Sequence, residues 1–166
     1  MRLKQTLLSK AAKTVQAKKI KARTVKPVIV IDTREKRPYV FNSSKFGSVK
    51  KALPSGDYSL EGLEDKIAIE RKSLSDFIST LVHNRERFDA ELKRLSSFNF
   101  SWIVVEGSIK EILSGDYRSL IKPKSLLGIT TSIMVDFPKT PIVFCDDRPC
   151  AAAMVEALML RCYKRM

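Results

Sequence analysis

Cysteine, histidine and long apolar runs are scarce in this chain of 166 residues. Its three cysteines are odd in number and lie near one end, which does not suit a disulfide framework and predicts a reducing, cytoplasmic setting. The single histidine, His83, and the poorly spaced cysteines argue against a zinc site. No apolar run approaches the roughly 20 residues of a membrane-spanning helix, and no secretory signal is evident. One intracellular domain with a hydrophobic core is therefore expected.

Acidic residues are absent from the first 26 positions, which hold nine of the 31 lysines and arginines. The whole chain carries a net charge of +13, although residues 27–166 contain 22 basic and 18 acidic groups. Such a basic arm predicts a polyanionic partner, with nucleic acid as the first candidate. A solvated tail and an organelle presequence are the competing interpretations. We divide the chain into a basic arm, residues 1–26, and a globular domain, residues 27–166.

Short β-branched runs alternate with amphipathic segments in the globular domain. Strands are predicted at residues 28–31, 56–60, 66–72, 102–105 and 141–145, and helices at 108–114, 124–134 and 149–164. Another helix is predicted to begin after Ser73 and to run through Leu95, with His83 as an ordinary side chain in its middle. Residues 33–55 are predicted as loop with at most a short strand. This alternation predicts an α/β fold with a mixed central sheet flanked by helices.

Acidic residues fall at related points of three predicted strands. Glu70 and Lys72 lie two residues apart on one strand and so share a face. Asp57 lies on the opposing arm of the same hairpin, and Asp32 ends the neighbouring strand, where α/β sheets open their ligand crevice. Three carboxylates and one lysine are therefore expected to converge. The competing interpretation is that Glu70 and Lys72 form only a surface ion pair on an edge strand.

These residues also carry a family resemblance. The segments concerned are Val30-Ile31-Asp32-Thr33-Arg34-Glu35, Gly56-Asp57-Tyr58 and Glu70-Arg71-Lys72-Ser73-Leu74-Ser75-Asp76. They resemble the nuclease domain of XPF-type endonucleases, in the restriction-endonuclease-like PD-(D/E)xK superfamily, whose signature is Gly-Asp followed by Glu-Arg-Lys-x-x-x-Asp. The resemblance covers about residues 28–150 and implies a restriction-endonuclease-like three-layer core. The chain is similar to compact stand-alone versions found in bacteria and their phages.

The resemblance implies metal-dependent hydrolysis of DNA phosphodiester bonds, in branched or flap-type DNA during repair, recombination or replication. Asp57 and Glu70 would ligate the metal, Asp32 would be a third ligand or a partner of one, and Lys72 would orient or activate the attacking water. The supporting roles fall on Glu35, Arg71 and Asp76. Carboxylate oxygens suit hard cations, which independently favours Mg²⁺ or Mn²⁺. The alternative function is a non-catalytic DNA-binding scaffold subunit of a nuclease complex.

Contacts to DNA phosphates require cations around the acidic centre, because carboxylates alone would repel the substrate. The candidate cations are Arg34, Lys36, Arg37, Lys50, Lys51, Arg71, Arg85 and Arg87. The family resemblance also implies a homodimer. We place its interface in the C-terminal region, where an apolar stripe around Val155 and Met159 is otherwise explained by a helix that covers the sheet. The expected location is the nucleoid or another DNA-associated part of the cytoplasm.

Overall fold

Strands and helices alternate along residues 26–166, which are the residues that the structure, a computed structural model, describes. The basic arm, apart from Lys26, lies outside the described residues. The strands are β1 (Val28–Ile31), β2 (Gly47–Lys50), β3 (Tyr58–Leu60), β4 (Ile67–Ser73), β5 (Phe100–Glu106) and β6 (Ile142–Phe144). The helices are α1 (Leu74–His83), α2 (Arg85–Leu95), α3 (Ile109–Ser114), α4 (Pro123–Asp136) and α5 (Arg148–Arg165).

The six strands form one mixed sheet in the order β2-β1-β3-β4-β5-β6. β3 runs antiparallel to both of its neighbours, whereas β4, β5 and β6 are parallel to one another. The seven-residue β4 lies near the centre and pairs along its whole length with β5, from Ile67 opposite Phe100 to Ser73 opposite Glu106. The predicted Glu-Arg-Lys segment lies on β4, and the Gly-Asp segment immediately precedes β3, which pairs with β4. β2 is the short strand that the predicted loop allowed, and it pairs with β1.

Two hydrophobic cores lie on opposite faces of this sheet, because alternate residues of each strand point to opposite sides. On one face, Ile67 and Ile69 pack with Val155 and Met159 of α5. On the other face, Ala68 packs with residues of α1, α2 and α4, including Phe77, Phe88, Leu92 and Leu126. The result is a helix–sheet–helix arrangement of three layers. The predicted α/β fold with a mixed sheet flanked by helices is confirmed.

The prediction of one continuous helix from Ser73 to Leu95 is wrong. The chain leaves the helical conformation at Asn84 (φ −130°, ψ 33°), which ends α1 and begins α2. Phe77 and Phe88 would lie about 16 Å apart along a straight helix, yet their ring centroids are 6.3 Å apart, edge to face. Contact between the two rings therefore requires the chain to turn at Asn84. His83 is consequently the exposed last residue of α1 and not a mid-helix side chain.

The C-terminal helix α5 uses its apolar stripe to cover the sheet. Ala151, Val155, Met159 and Cys162 are buried at helical spacing against the core that contains Ile67 and Ile69. The simple explanation of this stripe, a helix packed on the sheet, is therefore confirmed. Within residues 26–166, no helix is long and apolar enough to cross a bilayer.

Two glycines with the same backbone conformation provide a matched test of the turn that carries Asp57. Gly56 and Gly62 both have φ of +78°, but a Cβ on Gly56 would lie 3.0 Å from the Ile69 carbonyl oxygen, whereas one on Gly62 would meet nothing within 4 Å. We expect Gly62→Ala to cost about 1–2 kcal/mol, the penalty for a left-handed L-residue. Gly56→Ala should cost at least about 1 kcal/mol more, because alanine there also overlaps β4.

Urea unfolding monitored by circular dichroism would measure the two losses side by side. Equal losses of unfolding free energy for the two variants would contradict the close approach of Gly56 to β4.

Candidate active site

Asp57 is fixed by main-chain hydrogen bonds to both neighbouring strands. Its N–H donates to the Ile69 carbonyl at 2.8 Å, and its own carbonyl accepts from the Asp32 N–H at 2.8 Å. Its side-chain Oδ2 accepts from the Arg71 N–H, also at 2.8 Å. Gly56 makes this possible, since only a residue without a Cβ fits so close to β4 in that conformation. The Asp57 carboxylate is thereby held against the residues that flank Glu70.

Glu70 and Lys72 lie on the face of β4 that packs against α2. The Lys72 ammonium is 3.0 Å from Glu70 Oε1 and 3.4 Å from Glu91 Oε2 on α2, and it lies 5.3 Å from the centre of the Phe88 ring. The side chains of Lys72 and Glu70 are only 12% and 14% exposed. β4 is also an interior strand of the sheet. The competing interpretation, a surface ion pair on an edge strand, is therefore wrong.

The electrostatics of this cluster are unbalanced. Burial raises the pKa of Glu70 to about 8, and repulsion from Asp57 and Glu91 adds to that shift against the attraction of Lys72. Burial likewise raises the pKa of Asp57 to about 6, helped by Glu35 and Glu91 and opposed by the Arg71 N–H and Lys72. Three neighbouring carboxylates thus share one ammonium, an arrangement that a bound cation would relieve.

Lys72 carries its proton in this cluster. Burial alone would lower the pKa of its amine, but Glu70 and Glu91 outweigh burial and raise the pKa above its usual value. A lysine that stays protonated can donate hydrogen bonds to an anion or to a water molecule. It cannot accept a proton as a general base.

Asp32 is buried and its carboxylate is already fully engaged. Oδ1 accepts from the Arg34 N–H and from Arg34 Nε, both at 2.7 Å, while Oδ2 accepts from Arg34 Nη2 at 3.1 Å and from the Leu53 N–H at 2.7 Å. These bonds, chiefly those from the Arg34 side chain, hold the pKa of Asp32 below its ordinary value. Asp32 therefore ties the segment that follows β1 to the segment that follows β2.

The three predicted ligands are not brought together as the side chains stand. In the described part of the chain, no three carboxylate, histidine or cysteine side chains are grouped closely enough to hold one metal ion. Asp57 and Glu70 adjoin, whereas the oxygens of Asp32 are occupied by Arg34 and Leu53. The Arg34 side chain is 71% exposed, and it also donates to the Leu53 carbonyl at 2.9 Å. Direct ligation by Asp32 would require Arg34 to break these bonds and move outward, and it remains a prediction.

Arg71 occupies the opposite face of β4 and forms a buried ion network. Its guanidinium donates twice to Glu106, at 2.7 and 2.9 Å, and lies 3.4 Å from Glu35. Arg148, at the start of α5, donates to Glu106 at 3.1 Å and to the carbonyls of the 37–38 segment. The Arg71 side chain is only 12% exposed. Arg71 therefore supports the site from the opposite face of β4. It does not lie at the surface, where a contact with DNA was predicted for it.

The remaining predicted residues lie at or near the surface of the domain. Asp76 is exposed and caps α1 together with Ser73, whose hydroxyl donates to the Asp76 carboxylate at 2.7 Å. Lys51 pairs with Glu64 and Arg85 pairs with Asp89. The other predicted DNA contacts are exposed, and these are Lys36, Arg37, Lys50 and Arg87. The predicted cations are thus available to solvent, except for the buried Arg71.

Sequence analysis missed three charged residues of the site, Glu91, Glu106 and Arg148. Glu106 had a usable signal, since it ends β5 in register with Ser73 of β4. Glu91 had none, because its approach to Lys72 depends on the turn at Asn84. Arg148 reaches Glu106 from the start of α5, which is distant in sequence from the motif.

Comparisons with known proteins identify the family to which this arrangement belongs. The ERCC4 domain matches residues 31–158, which include Asp57, Glu70 and Lys72. The chain belongs to the ERCC4 domain family. It is similar to XPF from Aeropyrum pernix, with 27% identity and a TM-score of 0.67 over 84% of this chain, and to the same protein in complex with DNA, with a TM-score of 0.66. The predicted XPF-type nuclease domain is confirmed.

The Aeropyrum pernix protein and a second relative, from Methanocaldococcus jannaschii, are both longer than this chain. The match spans 66% of the Aeropyrum pernix protein. The Methanocaldococcus jannaschii protein, provisionally named an ATP-dependent RNA helicase, is 30% identical over 120 residues, which are 72% of this chain but 14% of that protein. This chain therefore resembles only one part of each relative.

Replacing the Glu70 carboxylate by an amide should stabilise the metal-free protein, increasingly so as pH rises. The folded-state pKa of Glu70 is raised to about 8. The proton on Glu70 therefore contributes fully to the stability of the folded protein below about pH 4.5, and this contribution is lost as the pH rises through 8. Glu70→Gln cannot ionise and avoids this loss. We expect the variant to be at least about 1 kcal/mol more stable than the unchanged protein at pH 8, and nearly equal at pH 5.

Urea unfolding in EDTA at both pH values would test this expectation. The matched control is Glu64→Gln, because the Lys51 side chain lowers the pKa of Glu64 and the control should gain nothing at pH 8. If Glu70→Gln gains less stability over the unchanged protein at pH 8 than at pH 5, the result would contradict the claim that burial and repulsion raise the pKa of Glu70.

Proposed function

We propose that this chain is a divalent-metal-dependent DNA endonuclease that hydrolyses phosphodiester bonds in branched or flap-type DNA, during repair, recombination or replication. The observation that carries the proposal is the half-buried Asp57–Glu70 pair beside a protonated Lys72. The ERCC4 domain match and the likeness to an XPF protein in complex with DNA support DNA as the substrate. Clusters of buried groups with strongly shifted pKa values are typical of functional sites.

Asp57 and Glu70 suit Mg²⁺ or Mn²⁺. Magnesium sites commonly use one or two carboxylates and complete their coordination with water and substrate phosphate. The raised pKa values of both carboxyl groups reflect burial first and repulsion from neighbouring carboxylates second. When bound, a divalent ion would neutralise phosphate charge and make a bound water more acidic. The donor set of this chain therefore fits the cofactor that the family resemblance implies.

The residues around the pair have distinct proposed roles. Lys72 donates hydrogen bonds to the attacking water or to a phosphate oxygen, because it is protonated and is held by Glu70 and Glu91. The Arg71 N–H orients the Asp57 carboxylate. Asp32 fixes the adjoining loop through Arg34 and Leu53, and it is a further ligand only if Arg34 moves. Catalysis on this account depends on positioning and charge neutralisation.

Single replacement of Asp57 or Glu70 by alanine should abolish cleavage while leaving the fold and DNA binding largely intact. We expect a loss of at least about 100-fold in rate, since each change removes a group that stabilises charge in the transition state. Asp65→Ala, at an exposed position between β3 and β4, is the matched control and should cleave at the normal rate.

Cleavage of labelled flap, fork and linear DNA would be followed in Mg²⁺, in Mn²⁺ and in EDTA, with DNA binding measured by anisotropy. Retained cleavage by either alanine variant would overturn the site assignment. Binding of flap DNA without cleavage by the unchanged protein, in either metal, would instead favour the alternative function of a non-catalytic scaffold subunit.

A homodimer through the C-terminal region remains part of the proposal, as does a DNA-associated location in the cytoplasm. The buried stripe of α5 is used within the chain, so an interface there must be built from the residues on its outer side. Met154 and Tyr163, which are 37% and 36% exposed, lie on this helix. Light scattering at working concentration should give twice the chain mass of 18.8 kDa. A mass equal to one chain would count against the dimer.

A further inference from the structure

The turn at Asn84 creates a groove between α1 and α2 that opens onto the candidate active site. Its volume is about 320 Å³, and it is lined by Thr80 and Asn84 from α1, by Arg87, Phe88, Glu91 and Arg94 from α2, and by Lys72 from β4. Lys72 lies 3.0 Å from Glu70, so one end of the groove adjoins the proposed metal ligands. A polymer strand that enters this groove therefore reaches the candidate active site directly.

The lining of this α1/α2 groove is cationic and rich in hydrogen-bond donors. Arg87 and Arg94 lie seven residues apart on α2 and so project from one face, about 10 Å from each other along the helix. Both residues are exposed. The one acidic group in the groove, Glu91, faces Lys72 at 3.4 Å. The two arginines therefore remain available to bind an anion, with the Asn84 amide and the Thr80 hydroxyl as neutral partners.

The spacing of the cations favours an extended polyanion over a single small anion. Arginines whose helix positions are about 10 Å apart are spaced to contact successive phosphates of one strand, each through its own guanidinium group. A volume of about 320 Å³ is at the lower end of the range for small-molecule sites. Lys72 lines the groove although its side chain is only 12% exposed, so a ligand must enter the groove to contact it. A single strand is narrower than a duplex and therefore suits a groove of this volume better.

We propose that the α1/α2 groove binds the phosphate backbone of an unpaired stretch of the DNA substrate, next to the bond that is hydrolysed. This inference rests on the proposed nuclease function for the position of the bond, but it rests on the groove alone for single-strand binding. Arg87 and Arg94 contact the phosphates and set the preference for unpaired DNA. Lys72 is the point at which the groove meets the reaction centre.

The test compares two double variants that each remove two guanidinium groups. Arg87→Ala/Arg94→Ala empties the groove of its exposed cations, and Arg118→Ala/Arg161→Ala removes two exposed arginines that do not line it. Binding of a fluorescein-labelled oligothymidylate, and of a labelled duplex of the same length, would be measured by anisotropy in EDTA over a range of salt concentrations. The full chain is used, and thermal unfolding of each variant checks its fold.

We expect the groove variant to lose single-strand affinity on the order of tenfold, and the slope of log K against log salt to fall by about 1.4, as two lost phosphate contacts require. Its duplex affinity should fall no more than that of the Arg118/Arg161 variant. Arg87→Lys/Arg94→Lys keeps both charges and should retain the original slope. In cleavage of flap DNA, the groove variant should raise KM more than it lowers kcat, as lost substrate binding does.

Two results would overturn the proposal. One is an equal loss of single-strand affinity in the Arg118/Arg161 variant, which would make the effect one of net charge. The other is an equal loss of duplex affinity in the groove variant, which would make the groove a duplex site. If the expected binding pattern holds but the unchanged protein cleaves no DNA in Mg²⁺ or Mn²⁺, the nuclease function fails and single-strand binding by the groove stands.

Discussion

The hydrogen bond from the Arg71 N–H to the Asp57 carboxylate is the interaction on which the site depends. It joins the turn before β3 to β4, and the neighbouring backbone bond from the Asp57 N–H to the Ile69 carbonyl helps to fix the register of the two strands. Because Arg71 lies between Glu70 and Lys72 in the chain, the same bond sets the position of all three charged groups relative to Asp57. Gly56 is the condition for this geometry, since its backbone touches β4.

The alternation of side chains along β4 separates two kinds of buried charge. On the face towards α5, Arg71 and Arg148 balance Glu106 and Glu35, so that cations and carboxylates are equal in number. On the face towards α2, Lys72 alone faces Asp57, Glu70 and Glu91. A balanced buried network is stable without a ligand, whereas the unbalanced one holds protons at unusually high pH. When all three carboxylates are ionised, the cluster has an excess of two negative charges, which a divalent cation would neutralise.

Much of this arrangement followed from local patterns in the sequence. The period-2 alternation of β4 places Glu70 with Lys72 and Arg71 on the other face, as the contacts show. The ends of the strands, and the apolar helix over the sheet, follow from short-range hydrophobicity. Asp32 was harder, because its competing partner Arg34 is adjacent in sequence and its other partner is the Leu53 N–H, far along a loop. The hydrophobic periodicity of the sequence gives no signal for such a contact between Asp32 and the distant Leu53.

The turn at Asn84 shows why the rest of the site could not be predicted from periodicity. Phe77 and Phe88 are eleven residues apart, which is close to three helical turns, so a continuous helix and a broken one give the same apolar pattern. Packing decides between them, since only the broken form brings both rings into one core at 6.3 Å. That fold-back carries Glu91 to Lys72 and Arg87 to the rim of the groove. A buried aromatic contact thereby determines which charges surround the lysine of the Glu-Arg-Lys motif.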